Sequence, residues 1–237
     1  MYFFKLNIAG RVRMISIQQK SVLKKLLMAV SGLIMLLFVV VHTLGNASIF
    51  FGAGYINSYA EHIHSMGWLI WLERAVMILV ALVHVVLGIM LSIENYNSRS
   101  SGYAVRRYLR STFSSRTMIY TGSIILVFVI YHLLHFTLNT FNPEFAIMMD
   151  SQGRHDVYRM IKTSFGQFLY AGTYCIALLA LLLHLWHGIR SFFQTLGLNK
   201  DTVLSWVENG GKTVALLIFL GMVFIPLRFY ILQLFSG

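Results

Sequence analysis

Five stretches of about 20 mostly apolar residues constrain this chain more than anything else. A helix rising ~1.5 Å per residue needs that length to cross a hydrocarbon core ~30 Å thick. The stretches run roughly over Leu26–Gly45, Trp68–Ile93, Thr117–Leu138, Gln167–Ile189 and Thr213–Phe235. The predicted fold is all-α: one integral membrane domain, residues 1–237, with five transmembrane helices and a basic tail over 1–21. Composition agrees, since charged residues make up 11% of the chain and a soluble domain carries about 25%. Disorder is excluded too, because it needs low hydrophobicity and high net charge. Only two prolines occur in 237 residues, which suits long uninterrupted helices. The single Cys175 allows no internal disulfide and no cysteine-held metal or iron–sulfur site.

A net charge of +11 would suggest nucleic acid in a soluble protein. In a membrane protein it reports orientation, because Lys and Arg collect in cytoplasmic loops. The tail holds Lys5, Arg11, Arg13, Lys20, Lys24 and Lys25. Arg99, Arg106, Arg107, Arg110 and Arg116 follow span two, and Arg190, Lys200 and Lys212 follow span four. The opposite side has only Arg154, Arg159 and Lys162. The expectation is a cytoplasmic N-terminus, an external C-terminus and no nucleic-acid partner. The first apolar run has no small-residue cleavage site and is long enough to span, so it does not read as a signal peptide. Met1 and Met14 both stay open as the initiator. The outer loops, Asn46–Gly67 and Asn139–Gly166, are long enough for short surface helices.

Ionisable side chains inside a membrane are costly, so each is a functional candidate. Six of the nine histidines lie in spans: His42, His84, His132, His135, His184 and His187. A lone one has a plain reading as a hydrogen bond between helices. Their depths argue for more. His42 lies about 6–7 residues past the midpoint of span one, ~10 Å toward the outside, and His132 about 5 past that of span three, ~7 Å. Spans two and four run the other way, which displaces His84 and His184 toward the cytoplasm. Two layers result, each with one imidazole from each of two helices. Neutral imidazole is a common metal ligand, and haem iron takes axial ligands above and below its plane. Two haem-binding pairs across a bilayer make an electron path. Zinc is the competing reading, but its sites usually add Cys or carboxylate, and none adjoins these positions in the sequence.

Glycine spacing falls in register with the histidines. Gly32 and Gly122 each precede a histidine by ten residues, His42 and His132; Gly88 and Gly188 each follow one by four, His84 and His184. Ten residues of helix is ~15 Å, which carries Gly32 and Gly122 to the inner layer. A missing side chain lets a flat macrocycle approach the backbone; the plainer reading is close helix packing. His135 and His187 sit one turn after a candidate ligand and share its face. Each is an alternative ligand, or a propionate or quinone contact. His62, His64 and His155 fall in the outer loops.

These motifs, VVVHTLGNASIF around His42, LVHVVLG around His84, TGSIILVFVIYH ending at His132, and HLWHG then SFFQTLG from His184, resemble a known family. It is the di-haem cytochrome b membrane anchor, the cytochrome b558 type, of bacterial succinate dehydrogenase and fumarate reductase, or complex II. The resemblance runs from about Lys20 to the last span. It implies that His42 and His132 hold an outer haem b, and His84 and His184 an inner one. It also implies a bacterial cytoplasmic membrane, menaquinone as the quinone, and two partners on the cytoplasmic side. These are a flavoprotein subunit with covalent FAD and an iron–sulfur subunit. This chain has no motif for FAD or clusters, so by itself it would not oxidise succinate. Its part would be electron transfer between the iron–sulfur subunit and quinone.

A quinone site near the outer haem needs a proton acceptor within hydrogen-bond reach. Glu61, in NSYAEHIHSM, is one candidate and Glu73, beside Arg74, another. Arg74 is a candidate for a propionate of the outer haem, and Ser31 and Arg190 for the inner one. The plain readings are a solvated Glu61 and a structural Glu73–Arg74 ion pair. Most tryptophans sit near span ends, where such rings anchor to the interface. Other quinone oxidoreductases use two haems as well, but with two ligands about ten residues apart in one helix, a spacing no span here has. A haem-free transporter using His for protons predicts scattered depths rather than layers.

Overall fold

In hydrocarbon each backbone N–H and C=O must be bonded within its own segment, so long apolar runs have no alternative to helix. The computed structural model describes residues 4–6, 12–14, 17–97, 113–198 and 201–236. Five helices are long and apolar enough to span, and the chain is a multi-pass membrane protein. Two three-residue strands, β1 (Phe4–Leu6) and β2 (Val12–Met14), pair antiparallel ahead of them. Of the basic residues used for orientation, Arg11, Arg99, Arg106, Arg107, Arg110 and Lys200 lie outside the described residues, as does Met1.

The spanning helices are α1 (Ile17–Ala47), α3 (Trp68–Asn97), α4 (Phe113–His132), α6 (Phe168–Thr195) and α7 (Asp201–Ser236). Most outrun the apolar stretches that predict them, because polar residues at the ends extend a helix once its middle is set. Span three departs from the rule. α4 stops at His132 and continues as a wide turn over Leu133–Thr137, closed by Leu138 N–H donating to Leu133 O at 2.8 Å. Asn139 then turns the chain out of the helix at φ 50°. Pro143 opens a 3-10 turn, and Pro226 lies inside α7 without ending it.

The loops after spans one and three each hold a short helix. Gly52, at φ 116°, turns the chain from a 3-10 turn over Ser48–Phe51 into α2 (Ala53–Ser65). Asp156 caps α5 (Val157–Phe165) by accepting from Arg159 N–H at 3.0 Å. α5 buries Met160, Ile161, Ser164 and Phe165 and leaves Arg159 and Lys162 exposed. These loops close over one end of the bundle, where Ile49, Ile56, Phe145, Phe165, Tyr174 and Phe229 form the tightest apolar core. Asn57 pins the loops together at 1% exposure. Its Nδ2 donates to Asp150 Oδ2 and Asp156 Oδ1 at 3.2 and 3.1 Å, and its Oδ1 accepts from Tyr158 N–H at 3.0 Å. Docking of α2 on α1 needs Gly45, since a Cβ there would overlap the Tyr59 ring. We call this the capped end and the other, where Lys24 of α1 pairs with Glu94 of α3, the tail end.

Four helices surround a central space: α1 packs on α3 and α6, and α6 on α4, while α3 and α4 barely meet. α7 closes the side against α6 and α1. It approaches closely at Gly211, beside Ile189, and at Gly221, beside Thr43, as small residues permit between membrane helices.

Candidate functional site

The space inside the four helices is a crevice of 3260 Å³, over three times a large small-molecule pocket of about 1,000 Å³. His42, His84, His132, His184 and His187 line it, as do Gly32, Gly88, Gly122 and Gly188. At the capped end His42 of α1 meets His132 of α4, ring centres 6.0 Å apart and planes at 89°. At the tail end His84 of α3 meets His184 of α6, at 6.3 Å and 63°. The four histidines thus pair as their depths predict. A Cβ on Gly32 would lie 3.2 Å from His84 Cε1, and one on Gly122 3.3 Å from His184 Cε1, so both glycines sit against the tail-end imidazoles. Gly88 faces the Met28 side chain, its added Cβ 3.3 Å from Cε, while a Cβ on Gly188 meets nothing within 4 Å.

Hydrogen bonds fix how the tail-end imidazoles present themselves. Ser31 Oγ donates its only proton to Met28 O at 3.0 Å and lies 3.2 Å from His84 Nδ1. A hydroxyl has one hydrogen, so whenever Ser31 gives it to Met28 O, Nδ1 is the donor. Thr121 repeats the arrangement. Its hydroxyl donates to the carbonyls of Thr117 and Met118, each at 3.1 Å, and lies 3.3 Å from His184 Nδ1. In that arrangement both imidazoles carry the proton on Nδ1 and leave Nε2 bare. Metal-ligating histidines are commonly held this way, by the ring nitrogen that does not ligate. Among the described residues Nε2 of His84, His184 and His132 has no hydrogen-bond partner. His42 differs: Asn46 Nδ2 lies 3.2 Å from its Nε2 and 2.9 Å from its carbonyl.

Thr121 escaped the sequence reading, although its signal was there. Met-x-x-Ser-Gly over 28–32 and Met-x-x-Thr-Gly over 118–122 each lead by the same spacing to His42 and His132. With His84 and His184 each four residues before a glycine, α1–α3 and α4–α6 form two matching halves. Tyr174 was missed for a different reason, since nothing in its local sequence marks it. Its hydroxyl is 3.1 Å from both His132 Nδ1 and His135 Nδ1. His135, fully buried, has its Nε2 3.3 Å from Ser164 Oγ.

Other candidates fall away from the paired imidazoles. Ser31 is engaged with His84. Arg190 reaches across to α7, 3.0 Å from Glu208, which also pairs with Lys212. Glu73 and Arg74 line the crevice, with the Arg74 guanidinium 4.9 Å above the Trp71 ring; among the described residues no ion pair joins them. Glu61, His62 and His64 are exposed on α2, and His155 Nε2 lies 2.8 Å from Phe145 O. Partial burial, then the Arg74 charge, holds His64 below the usual imidazole range. The Arg154 guanidinium holds Asp150 well below the usual carboxylate range. Comparison with family models, with curated proteins and with solved structures finds no match to this chain.

Proposed function

We propose that the chain is a di-haem cytochrome b, the membrane-anchor and quinone-reactive subunit of a succinate dehydrogenase or fumarate reductase. The observation that carries this reading is the pair of interhelical histidine couples facing one crevice at two depths. Two imidazoles binding one metal ion from opposite sides, at ~2.0 Å per bond, have ring centres about 6 Å apart. The measured 6.0 and 6.3 Å agree. Other features support it. Among the described residues three of the four Nε2 atoms have no hydrogen-bond partner, and Gly32 and Gly122 stand directly against the tail-end imidazoles. Each layer offers two imidazoles, and among the described residues no group of three or more His, Cys, Asp or Glu is gathered as a tetrahedral site requires.

In this reading His42 and His132 hold one haem b, His84 and His184 the other. Bound haem supplies a one-electron carrier at each depth. The chain's own residues orient the ligands through Ser31, Thr121 and Tyr174, and its apolar helices keep water from the crevice. The basic tail end faces the cytoplasm of a bacterium, where an iron–sulfur subunit and an FAD-bearing flavoprotein dock, and the capped end faces outward. A menaquinone site lies at the capped end, within reach of Glu73 and Arg74 in the crevice or of Glu61 on α2. Oxidation of each quinol releases two electrons and two protons, which is why a carboxylate is wanted there.

A pyridine haemochrome assay with a reduced-minus-oxidised spectrum on the native complex tests this. Two haems b per chain, reducible by succinate, are expected. Two haems that ignore succinate but answer another donor assign the chain to a different respiratory oxidoreductase. No haem in a folded protein from haem-replete cells overturns the redox reading.

A further inference from the structure

His135 reads in sequence as a spare ligand one turn beyond His132, yet its surroundings give it other work. It is fully buried, stacked on Phe136 at 4.1 Å and on Tyr170 at 4.6 Å. Both of its nitrogens are engaged, Nδ1 by the Tyr174 hydroxyl and Nε2 by Ser164 Oγ. Tyr174 stands between two imidazoles with a single proton to give. A neutral imidazole carries one N–H and one acceptor nitrogen, so two arrangements run every hydrogen bond of the row in one direction.

In the first, His132 Nδ1–H donates to Tyr174, the Tyr174 hydroxyl donates to His135 Nδ1, and His135 Nε2–H donates to Ser164. His132 Nε2 is then a bare lone pair. In the second every bond is reversed: Ser164 donates to His135 Nε2, His135 Nδ1–H donates to Tyr174, and Tyr174 donates to His132 Nδ1. The His132 proton is then on Nε2, which cannot ligate. The number of protons is the same in both, and each bond is made in both. At the tail end the row is shorter, since Ser31 and Thr121 each stand between one imidazole and carbonyls of their own helix.

We infer that Tyr174, His135 and Ser164 form a positioning relay that sets the tautomer of His132, with His135 acting through Tyr174 and not as a ligand. The inference rests on His132 being a haem ligand. A hydrogen bond accepted from the non-ligating nitrogen raises ligand basicity and favours the oxidised metal, so removing the acceptor raises the potential of that haem.

The test is a redox titration of the purified complex followed by visible absorption. Tyr174→Phe should retain two haems and shift the equilibrium of one toward its reduced form by about tenfold, ~59 mV for one electron, leaving the other unchanged. His135→Leu should shift the same haem in the same direction. His135→Gln, which keeps an acceptor for Tyr174 and a donor for Ser164, should restore most of the wild-type value. A purely packing role predicts lower thermal stability with both potentials unmoved, and that result in Tyr174→Phe and His135→Leu overturns the relay. Should His135→Leu lose a haem while His132→Ala keeps two, His135 is the ligand and the inference fails. A wild-type protein without haem removes the reading beneath it, which distinguishes that failure from the relay's own.

Discussion

At the tail end each imidazole is anchored by a hydroxyl one turn from its own backbone acceptor, and helices alone supply every part. At the capped end the anchor of His132 is a phenol shared with a second imidazole, whose last partner, Ser164, comes from α5 in a loop. The first arrangement is complete as soon as α1 meets α3 and α4 meets α6. The second depends on the loops having folded over the bundle, knotted through Asn57. Two sites of one ligand type thus differ in what they require of the rest of the chain. Damage to the loops should reach the capped pair first.

Under the proposed function, removing the four histidines gives the largest effects and tests whether the layers are separate sites. His84→Ala or His184→Ala should lower the haem count from about two per chain to about one and spare the capped haem; His42→Ala or His132→Ala should do the reverse. Haemochrome stoichiometry with resolved spectra reads this directly. Loss of both haems from every variant would mean that the layers are one cooperative unit. Loss of a haem from His187→Ala, with two kept in His184→Ala, would move the tail-end ligand by one turn.

Glycine substitution should come next in size. A Cβ at Gly122 falls 3.3 Å from the His184 ring, so Gly122→Leu must push that imidazole aside and should cost the tail-end haem while the capped one stays. Gly122→Ala needs a shift of only a few tenths of an ångström and should load nearly normally. At Gly188, which lines the crevice, an added Cβ meets nothing within 4 Å, so leucine there extends from open space. If Gly188→Leu still loads two haems, the crevice at that depth is wider than the cofactor needs.

The spans and the pairing of histidine layers were legible because both follow from periodicity. A constant rise per residue converts spacing along the chain into depth, and so placed Gly32 and Gly122 beside a layer whose histidines lie on other helices. Side-chain partners between helices have no such rule. Ser31 reads in sequence as a propionate contact, and nothing in that reading brings its hydroxyl to 3.2 Å from His84 Nδ1. Arg190 was picked for the same role, but Glu208 of α7 takes it, a pairing set by how α7 lies on α6. Ser164 and Tyr174 come together only through the fold of a loop. The wide turn over Leu133–Thr137 was hidden for a similar reason, since its sequence reads as ordinary helix.

A smaller effect tests whether the loop knot behaves as a separate layer. Arg154 Nη2 lies 2.7 Å from Asp150 Oδ2 and holds that carboxyl ionised to unusually low pH. A depressed carboxyl stabilises the fold above its unfolded value of 3.8 and loses that contribution as pH falls further, through its folded value. Arg154→Gln should therefore lower the thermal unfolding midpoint by a few degrees near neutral pH, with the difference shrinking below about pH 4 as Asp150 takes up its proton. A difference that persists unchanged at the most acid pH the folded protein tolerates would assign the effect of Arg154 to packing.

Asn46 supports the finest distinction between the ends, because among the described residues His42 is the one histidine of the four whose Nε2 has a hydrogen-bond partner. A net hydrogen bond is worth about 1 kcal/mol, and ligation at that nitrogen must break it. Asn46→Ala should then tighten haem binding at the capped pair, by at most about fivefold, and leave the tail-end pair unaffected. Dissociation to apomyoglobin, with the two haems followed separately, measures it. The opposite result, a looser capped haem, would mean that the second bond of Asn46, to the His42 carbonyl at 2.9 Å, matters more. Asn46 would then serve to hold the end of α1 in place for its histidine. The sign of the change decides between a competitor and a support, and only the capped end poses the question.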